Sequence, residues 1–152
     1  MQKTLANGQR GFNLIESLVA LVVVSVGMIG IASLYGQGLG AGRTAMFRTQ
    51  AVNLTGDMAD RIRVNRQGGA AYGGAAANNG CDPSGGMSCT PAQMAAHDLF
   101  VWSDQVAQQL PNGAGTVQFV GSTPPTYVIS VTWREVGLGT AERTIEIRVP
   151  NL

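Results

Sequence analysis

The chain has 152 residues, 45% of them apolar and 12% charged, with a formal net charge of +1. That length supplies one modest domain core, and the near balance of charge excludes a basic footprint for nucleic acid. One histidine and two cysteines leave a catalytic triad or a multi-histidine metal site poorly supplied.

The chain opens on a short basic leader containing Lys3 and Arg10, followed by Gly11-Phe12-Asn13-Leu14-Ile15-Glu16-Ser17. From Ser17 to Gly42 there are 26 residues without a formal charge, long enough to be a membrane-span candidate. The carboxylate of Glu16 stands at the entrance of this run, where burial in hydrocarbon is costly. Basic leader, Gly-Phe junction, acid and apolar run together resemble type IV prepilins and the related pseudopilins. The resemblance implies that a prepilin peptidase cuts between Gly11 and Phe12 and methylates the new N-terminal Phe12. It also implies a role for Glu16, the fifth residue counting Phe12 as the first. Its carboxylate attracts the free amino terminus of a neighbouring subunit, so that processing creates the cation that Glu16 receives. Opposite charges attract strongly in a low-dielectric medium, and pairing removes a costly isolated charge. Asn13 departs from the small hydroxyl residue often found at the second mature position, which bears on methylation. Farther along, Asp60-Arg61-Ile62-Arg63-Val64-Asn65-Arg66 and the spaced pair Cys81/Cys89 resemble minor pilins of the PilV type.

Cleavage after Gly11 removes Lys3 and Arg10 from the ten basic side chains, leaving eight against nine acidic ones. Other readings of the N-terminus stay open. A secretory signal has an apolar stretch of about 7–15 residues and a small-x-small site, which Gly40-Ala41-Gly42 imitates. Glu16 could also snorkel to the headgroups. Arg43 and Arg48 follow the run as Lys3 and Arg10 precede it, so the positive-inside count does not fix orientation. A cytoplasmic N-terminus rests on the resemblance.

The apolar run continues as a predicted helix to about Arg66. Phe47, Ala51, Leu54, Met58 and Ile62 recur at helical spacing and form one face. Gly27 and Gly30 are candidate close-packing positions. Gly36, Gly38, Gly40 and Gly42 form a weak point, because each glycine costs about 1 kcal/mol relative to alanine. This stretch either extends when the subunit leaves the bilayer or serves as a hinge at the membrane surface.

Gln67 to Gly80 is rich in Gly, Ala and Asn, shows no apolar period, and reads as a mobile loop. Together with Cys81–Cys89, the region around Tyr72 is expected to present a variable outer surface. Beyond a membrane span, the even cysteine count fits a Cys81–Cys89 disulfide in an oxidising compartment. Two free thiols or a metal pair are the alternatives, although no second Cys/His pair accompanies them.

Thr90-Pro91-Ala92-Gln93 is a helix start with a capping box. Ala95, Leu99, Trp102, Val106 and Leu110 form its apolar stripe, and Pro111-Asn112-Gly113 stops it. Thr116–Val120, Tyr127–Trp133 and Arg143–Val149 alternate as strands, the last two plausible as a hairpin through residues 137–140. The pattern gives an α+β chain: a small domain on a membrane helix. The resemblance sharpens this to a type IV pilin-like fold. Its long N-terminal helix, membrane-embedded in its first half, packs against a small antiparallel sheet with one extra helix and a disulfide loop. The expected division is a leader at 1–11, a transmembrane and filament-core helix at 12–42, and a periplasmic head at 43–152.

No nucleophile motif appears. Asp57 and Asp60 share a helical face with Arg61, Arg63 and Arg66, which reads as an ion-paired surface. His97 on the second predicted helix reads as solvated or packed. The chain is therefore read as a non-enzyme without cofactor or metal. The resemblance implies a minor pilin active in type IV pilus assembly, through an inner-membrane priming complex that becomes the filament tip. The partners it implies are other minor pilins, the major pilin, the prepilin peptidase, the inner-membrane assembly platform and the membrane itself. A type II secretion pseudopilin and an adhesive tip module are the alternatives.

Overall fold

The computed structural model describes residues 13–81, 88–135, 137 and 139–150. These fall into two compact units, with the division between Gly42 and Arg43. Helix α1 is Leu14–Val64. It lacks proline, and it continues as helix through Gly36–Gly42. Its N-terminal part contains an 18-residue window of mean hydropathy 2.4 with none of its residues buried, long and apolar enough to cross a membrane.

The second unit is built on the remainder of α1. Ala51, Leu54, Met58 and Ile62 are buried, with Phe47 packed at their edge. This is the stripe expected from spacing. A 3-10 helix, Arg66–Gly73, follows. Helix α2 is Pro91–Gln109, opened by a complete capping box between Thr90 and Gln93. Its Ala95, Leu99, Trp102 and Val106, with Leu110 at the C-cap, all lie in the core. Three strands complete the unit: β1 Ala114–Val120, β2 Thr126–Glu135 and β3 Gly139–Arg148, antiparallel in the order β1-β2-β3. The helix-facing side of β2 contributes Tyr127, Ile129, Val131 and Trp133, all buried. Two helical stripes and one sheet face thus close a single apolar cluster. Each large side chain fully buried there contributes about 1.5–3 kcal/mol.

Two close approaches lock this packing. The Trp102 indole Nε1 donates to the Leu54 carbonyl at 2.8 Å, tying α2 to α1. Gly115 of β1 lies directly over the Trp102 ring, leaving no room for a Cβ.

The expectation of a mobile loop at Gln67–Gly80 is overturned. Arg66–Gly73 is a 3-10 helix, turned at Gly69 with φ +48°. Tyr72 is fully buried rather than part of an outer surface. Its ring meets Tyr127 edge-on at 6.3 Å. Beyond it, the Ala77 N–H donates to the Ala96 carbonyl at 3.0 Å, and Asn79 Nδ2 donates to the Gln93 carbonyl at 2.9 Å. One aromatic anchor and two hydrogen bonds to α2 hold a segment whose composition carries no apolar period. Cys81 and Cys89 are disulfide-bonded, and no free cysteine remains.

Candidate functional site

Two places bear on function: the N-terminal turn of α1 and the charged side chains around the head core. At the first, the Asn13 carbonyl accepts from the amides of Glu16 at 2.9 Å and Ser17 at 3.3 Å. Glu16 is exposed in the first helical turn, where the helix dipole favours an acid. Gly11 and Phe12, the expected cleavage and methylation positions, lie outside the described residues.

In the head, charges expected to form a solvated face do more specific work. Arg63 pairs with Asp60 at 2.7 Å on the surface. Arg61 donates to Asp57 at 2.9 Å and also reaches across to Asp98 Oδ1 at 3.2 Å. Asp98 is only 8% exposed, and its other oxygen accepts from the Tyr72 hydroxyl at 2.7 Å. Burial, reinforced by this bond to a carboxylate, pushes the Tyr72 phenol well above its ordinary range. Arg61, Asp98 and Tyr72 thereby join α1, α2 and the 3-10 helix. Sequence spacing does not reveal this triad, because its members come from separate elements.

Arg48 and Glu135 form a second pair that sequence reading missed. Arg48 Nε and Nη2 donate to the two Glu135 oxygens at 3.0 and 3.1 Å. Glu135 is 3% exposed. The hydrogen bonds from Arg48 hold its carboxyl below the usual carboxylate range, against the opposing effect of burial. His97 is half-buried on α2, and its Nδ1 has no partner among the described residues. Among the described residues, no group of three or more His, Cys, Asp or Glu side chains is placed to hold a metal.

An exposed acid in the first turn of a long apolar helix, with an α+β head built on its second half, narrows the comparison. Residues 6–32 match the family model of the prokaryotic N-terminal methylation motif. Residues 34–100 match the model of a type IV pilin, Tt1218-like. Together they support a type IV pilin. The second match covers the later part of α1, the 3-10 helix, the cysteine pair and the first half of α2. The long helix, the extra helix, the small three-stranded sheet and the one disulfide are consistent with that fold. No curated protein and no solved structure gives a match. A type IV pilin is a structural component, and the motif implies processing by a prepilin peptidase, membrane anchoring and contact with other pilus components.

Proposed function

We propose that this chain is a minor pilin of the PilV type acting in type IV pilus assembly. In this reading Gly11 and Phe12 flank the processed bond, Phe12 is methylated, and Glu16 receives the amino terminus of a neighbouring subunit. Residues 12–42 serve as the membrane and filament-core helix, and 43–152 as the periplasmic head. The chain joins other minor pilins in a priming complex at the inner membrane and travels to the filament tip, without catalytic activity of its own.

The observation that carries this reading is the succession of the two matches along one chain, with Glu16 exposed in the first turn of α1. The Asp60–Arg66 segment and the Cys81–Cys89 pair support the pilus over a secretion apparatus. The test is a count of surface filaments by electron microscopy after deletion of this chain, in cells whose retraction motor is disabled. Near-complete loss of filaments is expected. Filaments in normal number would remove priming as its essential role and turn attention to secretion and adhesion.

A further inference from the structure

Helix α1 runs without a break from Leu14 through Gly42, and a bilayer cannot hold all of that stretch. The hydrocarbon core is about 30 Å thick, which about 20 helical residues fill. Residues 14–42 measure about 43 Å at ~1.5 Å per residue. Two placements of the span therefore compete. A span ending at Gly42 would begin at Val23. It would leave Ile15, Leu18, Val19, Leu21 and Val22 in water, each more than half exposed on the helix. It would also draw the Tyr35 hydroxyl, the Gln37 carboxamide and four glycines into hydrocarbon. Tyr35 is 72% exposed and Gln37 is exposed too, so no described part of the chain covers either polar group where lipid would strip its water. A span of 15–34 has neither fault. Its ends fall at Glu16 and Tyr35, and the 19 positions from one to the other cover about 28 Å. Its central serine needs no partner from lipid, because Ser25 Oγ donates to the Leu21 carbonyl at 2.6 Å.

We propose that residues 15–34 fill the hydrocarbon layer, with Tyr35 as the anchor that holds the C-terminal end of the span at the lipid headgroups. Tyrosine suits that depth, because its ring is apolar and its hydroxyl needs water or a headgroup oxygen. Tyr35 and Glu16 then act as one ruler. With the phenol at one interface, the Glu16 carboxylate reaches the headgroups of the other rather than the middle of the bilayer, where an unpaired charge is costly. The glycines at 36, 38, 40 and 42 leave the hydrocarbon. Gly42 does so by about 10 Å, past a headgroup layer of roughly 5–8 Å, where water can take up backbone groups that lipid could not. The proposal rests on the membrane anchoring of α1 and narrows the part of residues 12–42 that lipid surrounds.

The glycines of α1 supply the test. A Cβ built at Gly27, Gly30, Gly36, Gly38, Gly40 or Gly42 meets nothing within 4 Å, so a cysteine fits at each. The native cysteines are paired with each other, which leaves no competing thiol. Each glycine is replaced singly in the full chain, held in nanodiscs of phosphatidylethanolamine and phosphatidylglycerol. The probe is a sulfonated maleimide that does not enter hydrocarbon. Gly27→Cys and Gly30→Cys should resist labelling, and Gly36→Cys and Gly38→Cys should react slowly. Gly40→Cys and Gly42→Cys should react as fast as in the denatured chain. Adding Tyr35→Leu should shift the boundary outward and suppress labelling of Gly36→Cys and Gly38→Cys, whereas Tyr35→Trp should leave it in place. Protection that extends to Gly42→Cys, or a boundary unmoved by Tyr35→Leu, would overturn the proposal and leave the anchoring of α1 standing. Rapid labelling at all six positions would overturn both.

Discussion

The Tyr72 hydroxyl donates to Asp98 Oδ2 at 2.7 Å, the one side-chain bond by which the buried Tyr72 ties the Gly/Ala-rich segment to α2. Asp98 is buried, so its carboxylate depends on Tyr72 and Arg61 to replace water. Removing the hydroxyl leaves one oxygen of a buried anion unpaired. Tyr72→Phe should destabilise the head by about 1–3 kcal/mol. The check is a urea melt, with a lowered midpoint at unchanged slope.

The same bond makes the head sensitive to alkali. The folded-state pKa of the Tyr72 phenol is raised above its unfolded value of about 10. Its contribution is therefore fully present below about pH 10 and is lost as the pH rises through the folded value. Stability measured from pH 9 upward should fall more steeply in the parent chain than in Tyr72→Phe. Parallel curves would show that another group carries the alkaline response.

At the acid end the relevant group is Glu135, whose folded pKa is lowered, first by its hydrogen bonds from Arg48. Its contribution is present above the unfolded value of about 4.3 and disappears as the pH falls through the folded one. Glu135→Gln should flatten the decline in stability below about pH 4.3. Thermal melts between pH 2 and 7 decide the matter, and an unaltered acid limb would assign it to other carboxylates.

Gly115 faces the Trp102 ring with no space for a methyl group. Gly115→Ala must therefore displace either β1 or the indole, at about 1–3 kcal/mol of overpacking. Because Trp102 also donates to the Leu54 carbonyl, its displacement should change the near-ultraviolet circular dichroism of the head. An unchanged spectrum with unchanged stability would mean that the strand yields freely.

Glu16 stands exposed at the start of α1 and is not a member of the head core. Glu16→Gln should thus leave head stability and leader processing unaltered while blocking entry into filaments. Immunoblots of sheared filaments against whole-cell fractions measure this, and normal filament entry by the variant would sink the docking role.

Periodic patterns made much of the architecture legible. The Ala51–Ile62 stripe, the α2 stripe and the buried alternation of Tyr127–Trp133 follow from spacing of 3.6 or 2 residues, and the Thr90–Gln93 capping box from its residue types. Strand ends were less legible. β2 runs on to Glu135 and β3 begins at Gly139, with Gly137 in the turn and Gly139 at the strand start both at positive φ. Tyr72 escaped because a single aromatic in a Gly/Ala tract has no period, and its burial depends on Asp98 of another helix. The Arg48–Glu135 and Arg61–Asp98 pairs escaped for a related reason. Ion pairs spanning 87 and 37 positions leave no local trace. The N-terminal motif was legible by resemblance, carried by the combination of junction, acid and apolar run.

The disulfide brings the Cα atoms of Cys81 and Cys89 to 5.8 Å, immediately before the Thr90 cap of α2. Cys81 and Cys89 therefore lie at nearly one point, and the covalent staple fixes that point. Peptides of different length can be spliced between the two cysteines without altering the distance that α2 and the 3-10 helix must span. This makes the cysteine pair a natural port for an epitope tag or fluorophore, by which the subunit can be located along a filament.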